Sequence, residues 1–486
     1  MASTSEESAA TPLLSAGKGN LDENKSPLKK HAFIAFVIAL PSIAPGMCLG
    51  FSAETLPQLD LGVSDAAWFA SVIALMIPIG YLLSKPVMER FGRRVALHTV
   101  SVVGLLGWLM LSFRPTDPTT VKLYLGRMLT GVSVGLAMLP AATYANESLK
   151  KDAVEQTSIV TWSTVALCFG ILVTYICGAM IPYYQVAGVA AIISVFSLLA
   201  VAIFVPESPA WLQTKGRQGD AEWVQKQLGA SQAGSSTDPE QPSPSAPPAP
   251  AEPQPTSLKE IMKEIEKPEV HKPLLIMSAF FFFQQFSGVF VFIAYMVDIV
   301  RSAGVIALNP YFVTVLSGVI IFGASIVASF VYPKTGVRAL ATLSGAGMCI
   351  TMLFIAVYLS LRPYFFTRAE YYYLRWIPLI AILVNITSST FGFLILPWSM
   401  LGEVFPLNVK GTAGAIATTL GYIFCFIAII SFPHLWLSMG SDGVFYFYGF
   451  SALLGTLFVY YFLPETHGKT LEEVLDGFSK KKKEQV

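Results

Sequence analysis

The sequence predicts an all-α membrane protein whose twelve transmembrane helices form two six-helix bundles, with both termini cytoplasmic. Three observations carry that expectation. The first is composition: of 486 residues, 54% are hydrophobic and only 13% charged, against about 25% charged in a soluble protein. The second is a series of twelve apolar runs, each near the roughly 20 residues a helical crossing needs. The third is an internal repeat. Pro206-Glu207-Ser208-Pro209 returns as Pro464-Glu465-Thr466, and Glu147 is matched by Glu403 at nearly the same spacing. Parallel repeats of this kind let two bundles rock about a central site, so the chain reads as a solute carrier.

The runs fall at 33–53, 67–88, 95–113, 121–142, 157–180, 185–205, 273–298, 311–331, 339–360, 377–402, 411–431 and 443–463. Residues 1–32 then form an N-terminal tail, 33–205 the first bundle, 206–272 a linker, 273–463 the second bundle and 464–486 a C-terminal tail. Pro and Gly inside the runs are compatible with lipid-spanning helices. The first run follows a long polar stretch and lacks a small-residue cleavage site, so it is read as a span and not as a signal peptide.

Basic residues set the orientation. Lys25, Lys29 and Lys30 precede the first run, and Arg90, Arg93 and Arg94 follow the second. Lys150 and Lys151 follow the fourth, Lys334 and Arg338 the eighth, Lys410 the tenth, and Lys480 to Lys483 close the tail. Glu54, Asp60 and Asp65 are the only charges between the first two runs. Arg362, Arg368 and Arg375 count the other way, but the majority places both ends in the cytoplasm. The sequons at Asn24, Asn146 and Asn385 are therefore expected to stay unglycosylated.

Within the linker, Asp220 to Leu228 has helical character. Ser235 to Thr256 is dense in Pro, Ser, Ala and Gln and reads as a disordered tether. Leu258, Ile261, Met262 and Ile265 among alternating acids and lysines suit a short surface helix. The net charge of +1 indicates no nucleic-acid partner. Cys48, Cys168, Cys177, Cys349 and Cys425 lie in apolar runs without metal-like spacing and are expected as small buried hydrophobes. The five histidines are scattered, and no cluster has catalytic spacing, so neither an enzyme nor a cofactor is expected.

Polar groups at mid-membrane are costly unless paired or wetted, which makes them default site candidates. The seventh run holds Gln284, Gln285, Ser287 and Gly288, then Tyr295. Paired primary amides donate and accept, as a neutral polyol requires; interhelical bonding is the structural alternative. In the tenth run, Pro397 frees backbone beside Trp398, whose indole can stack on a sugar ring. Thr161, Ser163 and Thr164 add hydroxyls in the fifth. Arg127 stands near the outer end of the fourth, either lining an aqueous cavity or pairing across helices, with Gly131 and Gly135 allowing close packing. Charges cluster at the cytoplasmic ends: Glu89, Arg90, Arg93, Arg94, Glu147, Glu207, Glu403, Lys410 and Glu465. Such groups can bias a two-state equilibrium through pairs that form and break.

These residues together resemble the sugar porter family of the major facilitator superfamily over nearly the whole chain. The matching pieces are Glu89 to Arg94, Gly126-Arg127 with Gly131 and Gly135, Tyr144 to Glu147, Pro206 to Leu212, Gln284 to Gly288, Pro397-Trp398 with Glu403 to Pro406, and Pro464 to Thr470. Finer texture, Gly46 to Ser52 and Gly170 to Val173, is similar to the insect facilitated trehalose transporters. The resemblance implies alternating access and a hexose or disaccharide held mid-membrane. Gln284 and Gln285 would bond its hydroxyls, Trp398 would stack on or cap the ring, Tyr295 would belong to the outer gate, and Thr164 would stand where a sugar-binding Gln is usual. Arg93, Arg94, Glu147, Glu207, Glu403, Lys410 and Glu465 would form the cytoplasmic gate.

The chain also departs from that pattern. Phe290 replaces the family's Asn, Ala294 one of its paired aromatics, and Gly421-Tyr422 its Asn-Trp pair; Lys85, Glu155 and Ala210 stand where Gly, Arg and Arg are usual. Facilitated uniport by a monomer in the plasma membrane is the expected function. Proton-coupled relatives carry an acid in the first run where this chain has Ser52, and a symporter would have to rely on Glu54. A transport-inactive sugar sensor on the same fold is the other reading.

Overall fold

The computed structural model describes residues 31–113, 120–148, 153–228, 263–305, 308–365, 374–406 and 409–479. Among these, the secondary structure is helical throughout. The expected tether at Ser235 to Thr256, the sequon at Asn24 and the Lys480 to Lys483 cluster lie outside the described residues.

The chain opens with α1 (His31–Gln58), α2 (Val63–Phe91), α3 (Arg93–Ser112), α4 (Val121–Ser148), α5 (Ala153–Met180) and α6 (Tyr183–Phe204). Two short helices follow, α7 (Pro209–Thr214) and α8 (Gln218–Gln227). The second half holds α9 (Pro268–Ser302), α10 (Pro310–Val331), α11 (Val337–Phe365), α12 (Ile377–Met400) and α13 (Lys410–Phe462), with α14 (Leu471–Ser479) last. Among the described residues eleven helices are long and apolar enough to cross a membrane. The last of them has 53 residues, which unbroken would reach about 80 Å at 1.5 Å per residue. It breaks at Gly440, where φ is 75° and ψ 175°, into 410–439 and 441–462. The first helix outruns its apolar stretch and continues through Gln58, because Thr55 and Leu56 extend the turn and the Gln58 amide bonds back to the Glu54 carbonyl at 2.9 Å.

The outer faces carry large exposed hydrophobics, such as Ile192, Phe196, Leu199 and Ile203 along α6. In water such a stripe would demand a partner; in hydrocarbon it needs none. Inside the first bundle, α2 and α4 approach to backbone contact. A Cβ on Gly131 would meet the Ile73 backbone at 3.0 Å, and one on Gly135 would collide with the Ile77 carbonyl. Small residues at four-residue spacing make that approach possible, as the sequence implied. At one end of the molecule His31 bonds the Leu228 carbonyl at 2.7 Å and Lys272 bonds the Phe478 carbonyl at 2.6 Å. Trp211 of α7 donates to the Glu89 carbonyl at 3.1 Å, the Lys85 ammonium lies beside Gly411, and Thr466 bonds Glu403, so the start of α1, the end of α8, the start of α9 and α14 share that end, here termed the linker end.

The two halves meet along a seam. Trp68 of α2 packs on Phe426 of α13 with ring centroids 5.6 Å apart, and Phe169 of α5 packs on Phe322 of α10 at 5.3 Å. The buried Tyr175 hydroxyl crosses from α5 to donate to the Ile293 carbonyl of α9 at 2.8 Å. Apart from that bond these contacts are apolar and non-directional, so the seam can re-form in a second packing without stranding many hydrogen-bonding groups.

Candidate functional site

At mid-seam, α9 is interrupted where the sequence places Ser287-Gly288. Gly288 has φ 88° and ψ 5°, a left-handed conformation that side chains resist. A second departure follows at Tyr295, with φ −125° and ψ 26°. Both glutamines just before the break are buried, and their bonds differ. Gln284 donates to the carbonyls of Phe393 and, at 3.3 Å, Leu394 in α12, while accepting from the Gln285 amide at 3.1 Å. The Gln285 Oε1 has no partner among the described residues. Gln284 thus ties α9 to α12, and Gln285 keeps an acceptor free.

Trp398 lies between Phe281 and Tyr422, tilted to both, with ring centroids 4.6 Å and 4.9 Å away. Tyr295 packs on Phe432 at 4.7 Å, and its hydroxyl donates to the Ile429 carbonyl at 3.3 Å. Thr164 is half-buried on α5. A small cavity lies at the seam, lined by Leu49, Ile73, Ala74, Ile77, Phe290, Ile293, Ala294, Tyr422, Cys425 and Ile429, with room for about one water. Of the residues singled out for substrate, only Phe290 lines it; Gln284, Gln285, Tyr295, Trp398 and Thr164 do not.

Arg127 is fully buried. Of the two alternatives open from sequence, it takes pairing across helices: it donates to Ser52 Oγ at 2.6 Å, the Cys48 carbonyl at 3.0 Å and the Phe69 carbonyl at 3.2 Å. The Phe69 ring lies 5.0 Å from the guanidinium. These neutral partners satisfy the fork of donors without a carboxylate. Glu54 is the opposite case. It is only 1% exposed, and neither carboxylate oxygen has a partner among the described residues. It packs against Gly178 of α5, so closely that a Cβ there would strike its side chain. It is not among the residues lining the cavity.

At the linker end the sequence repeat becomes a repeated clamp. In the first half, Glu207 accepts from the backbone N–H groups of Arg93 at 2.8 Å, Arg94 at 3.1 Å and Ser208 at 2.9 Å, capping α3. Glu147 accepts from Arg93 Nε at 2.8 Å and Ser208 Oγ at 2.6 Å. In the second half, Glu465 accepts from the backbone N–H groups of Val337 at 2.8 Å and Arg338 at 3.3 Å, capping α11. Glu403 accepts from Thr466 Oγ1 at 2.6 Å. Arg93 has Val337 as its counterpart, which cannot donate from a side chain. The Tyr332 hydroxyl takes that role, donating to Glu403 at 2.7 Å. Burial first, then the Glu403 carboxylate, hold this phenol well above its ordinary range, so it stays protonated and able to donate.

The remaining gate candidates are placed close by. Arg94 Nη2 donates to the Ala202 carbonyl, and the Lys410 ammonium lies near Gly402, beside Glu403. All the clamp contacts join elements of the same half. The acids stood out in the sequence; Ser208 and Thr466 lay inside the repeated motif, but their bonds to Glu147 and Glu403 emerge only in the fold. Tyr332 carried no signal, since it lies outside the repeated motifs and is recruited only by the fold.

The sequence model of the family described as "Sugar (and other) transporter" matches residues 29–478. Facilitated trehalose transporter Tret1 of Polypedilum vanderplanki is 27% identical over 471 residues, covering 94% of this chain and 91% of that one. Its namesake in Apis mellifera ligustica is 26% identical over 470 residues, covering 94% and 90%. Among solved structures, the proton:xylose symporter XylE bound to 6-bromo-6-deoxy-D-glucose aligns with a TM-score of 0.70 at 20% identity, over 93% of this chain and 99% of that one. XylE from E. coli in a partially occluded inward-open conformation gives 0.70 at 20% identity, over 91% and 100%. At such identities the likeness is one of fold.

Proposed function

Because the chain belongs to the sugar transporter family, we propose that it is a facilitative carrier moving a sugar, trehalose or a hexose, by alternating access. The carrier is a monomer in the plasma membrane with twelve crossings, α13 counting as two on either side of Gly440, and with the linker end in the cytoplasm. The observation that carries this reading is the repeated clamp. Glu147 with Ser208 and Glu403 with Thr466 fasten each half to itself, while the halves meet mainly through apolar contacts. Two self-fastened bodies on a re-packable seam are what rocking requires.

Gln285, with a free acceptor beside the Gly288 break, is the polar contact for the sugar. Gln284 and Trp398 position it, Tyr295 steadies the gate opposite the linker end, and Phe290 and Thr164 shape the passage. Uniport follows from Ser52, the Arg127 partner, since a hydroxyl does not cycle a proton near neutral pH. A proton-coupled variant is favoured by one observation, the unpartnered carboxylate of Glu54. Uptake of labelled trehalose, glucose and fructose by cells expressing the chain tests the proposal. Saturable flux of one of them supports it; no flux of any, with the protein verified at the surface, overturns it.

A further inference from the structure

The seam cavity is lined by side chains from both halves, and none is charged or an amide. Phe290 and Ile293 of α9 and Ile429 of α13 line it with Ile73 and Ile77 of α2. Among its lining side chains the heteroatoms are the Tyr422 hydroxyl, already directed at the Met138 sulfur at 3.7 Å, and the Cys425 thiol. A fully hydroxylated sugar resting on this surface would leave hydroxyls without partners, at about 1–3 kcal/mol each.

Unsatisfied polar atoms lie to one side of it. Gln285 Oε1 and the Tyr448 hydroxyl are both buried and without a partner among the described residues. Both adjoin the break in α9: the Gly288 N–H donates to the Gln285 carbonyl at 3.1 Å, and a Cβ on Gly288 would meet the Tyr448 ring at 3.2 Å. One turn further along the same helix, Phe290, Ile293 and Ala294 begin the apolar lining. Along α9, unpartnered polar atoms at the Gly288 break are thus followed by the apolar lining of the seam cavity.

We propose that the carried solute is an amphipathic glycoside, a sugar ring bearing an apolar substituent. The ring engages Gln285 and Tyr448, and the substituent lies against Phe290, Ile293, Ile77 and Ile429. This rests on the sugar-transport reading and narrows it to a substrate class. The cavity of the closed seam holds about one water, so the glycoside enters as the halves part and meets the same surface then.

Calorimetric titration of the purified full-length protein with glucose, trehalose, phenyl β-D-glucoside and phenol tests the proposal. Phenyl β-D-glucoside is expected to bind about 10- to 100-fold more tightly than glucose or trehalose. Phe290→Asn, which places an amide on the apolar surface, is expected to shrink that ratio at least several-fold. Glucose or trehalose binding as tightly as the phenyl glucoside would overturn the proposal and leave sugar transport standing. Phenol binding as tightly as its glucoside would overturn the proposal alone; none of the four binding, together with no uptake of labelled trehalose, glucose or fructose, would overturn both.

Discussion

Tyr332 donates its hydroxyl to Glu403 across 2.7 Å, doing in the second half what the Arg93 guanidinium does for Glu147 in the first. The two halves thus hold equivalent carboxylates by unlike means: a charged, two-pronged grip in one and neutral hydroxyls from Tyr332 and Thr466 in the other. Both carboxylates take charge-assisted bonds, but only the first half adds the attraction of a two-pronged ion pair, so the first half is the more firmly fastened.

Removing the phenol tests this assignment. Tyr332→Phe keeps the ring and deletes the bond to a carboxylate, at a cost of about 1.5–3 kcal/mol for a fully ordered bond. Thermal unfolding of the detergent-solubilised protein should show a Tm lower by several degrees. An unchanged Tm would mean the hydroxyl contributes nothing to the clamp.

The unlike partners also predict unequal responses to the same substitution. Glu147→Gln leaves the Arg93 guanidinium facing an amide and loses the charge pairing. Glu403→Gln keeps a carbonyl oxygen for a neutral hydroxyl. Glu147→Gln should therefore lower both Tm and transport rate more than Glu403→Gln does. Equal losses would contradict the distinction.

The glycines under the capping carboxylates give a paired comparison. A Cβ on Gly92 would run into Glu207 in a backbone with φ 107°, and one on Gly336 would approach the Glu465 Oε2 at 2.8 Å. Gly92→Ala carries both the collision and the backbone penalty, so it should lower surface expression and Tm more than Gly336→Ala.

Gln284 and Gln285 separate structure from binding. Gln284 holds two carbonyls of α12, so Gln284→Ala strands them and should reduce Tm. Gln285→Ala removes the free acceptor and should raise KM about 10-fold or more with a smaller change in Tm. Transport kinetics and unfolding of the two variants, side by side, check the assignment.

The architecture was legible because lipid imposes it: apolar runs of crossing length and a doubled acidic motif leave few alternatives. The recurrence of Glu147, Glu207, Glu403 and Glu465 marked them as a matched set expected to pair across the halves as a gate, whereas in the structure each accepts bonds within its own half. Gln284 and Gln285 read alike as adjacent amides, and only the course of α12 distinguishes them. The Tyr332 bond and the unpartnered burial of Glu54 were hidden for a related reason. Whether a lone hydroxyl or carboxylate meets a partner depends on helix rotation and packing, which periodicity does not specify. The lack of polar lining at the seam was foreshadowed by Phe290, Ala294 and Tyr422, each replacing or accompanying a lost polar or aromatic group of the family pattern.

A facilitative carrier moves its sugar without an ion gradient. The most direct measurement is the initial rate of labelled sugar entry into proteoliposomes, with and without an imposed proton gradient, for the native chain and Glu54→Gln. Uniport predicts saturable entry that the gradient does not accelerate, in both proteins alike. Accumulation above the external concentration, driven by the gradient and lost in Glu54→Gln, would contradict it and make Glu54 the proton carrier.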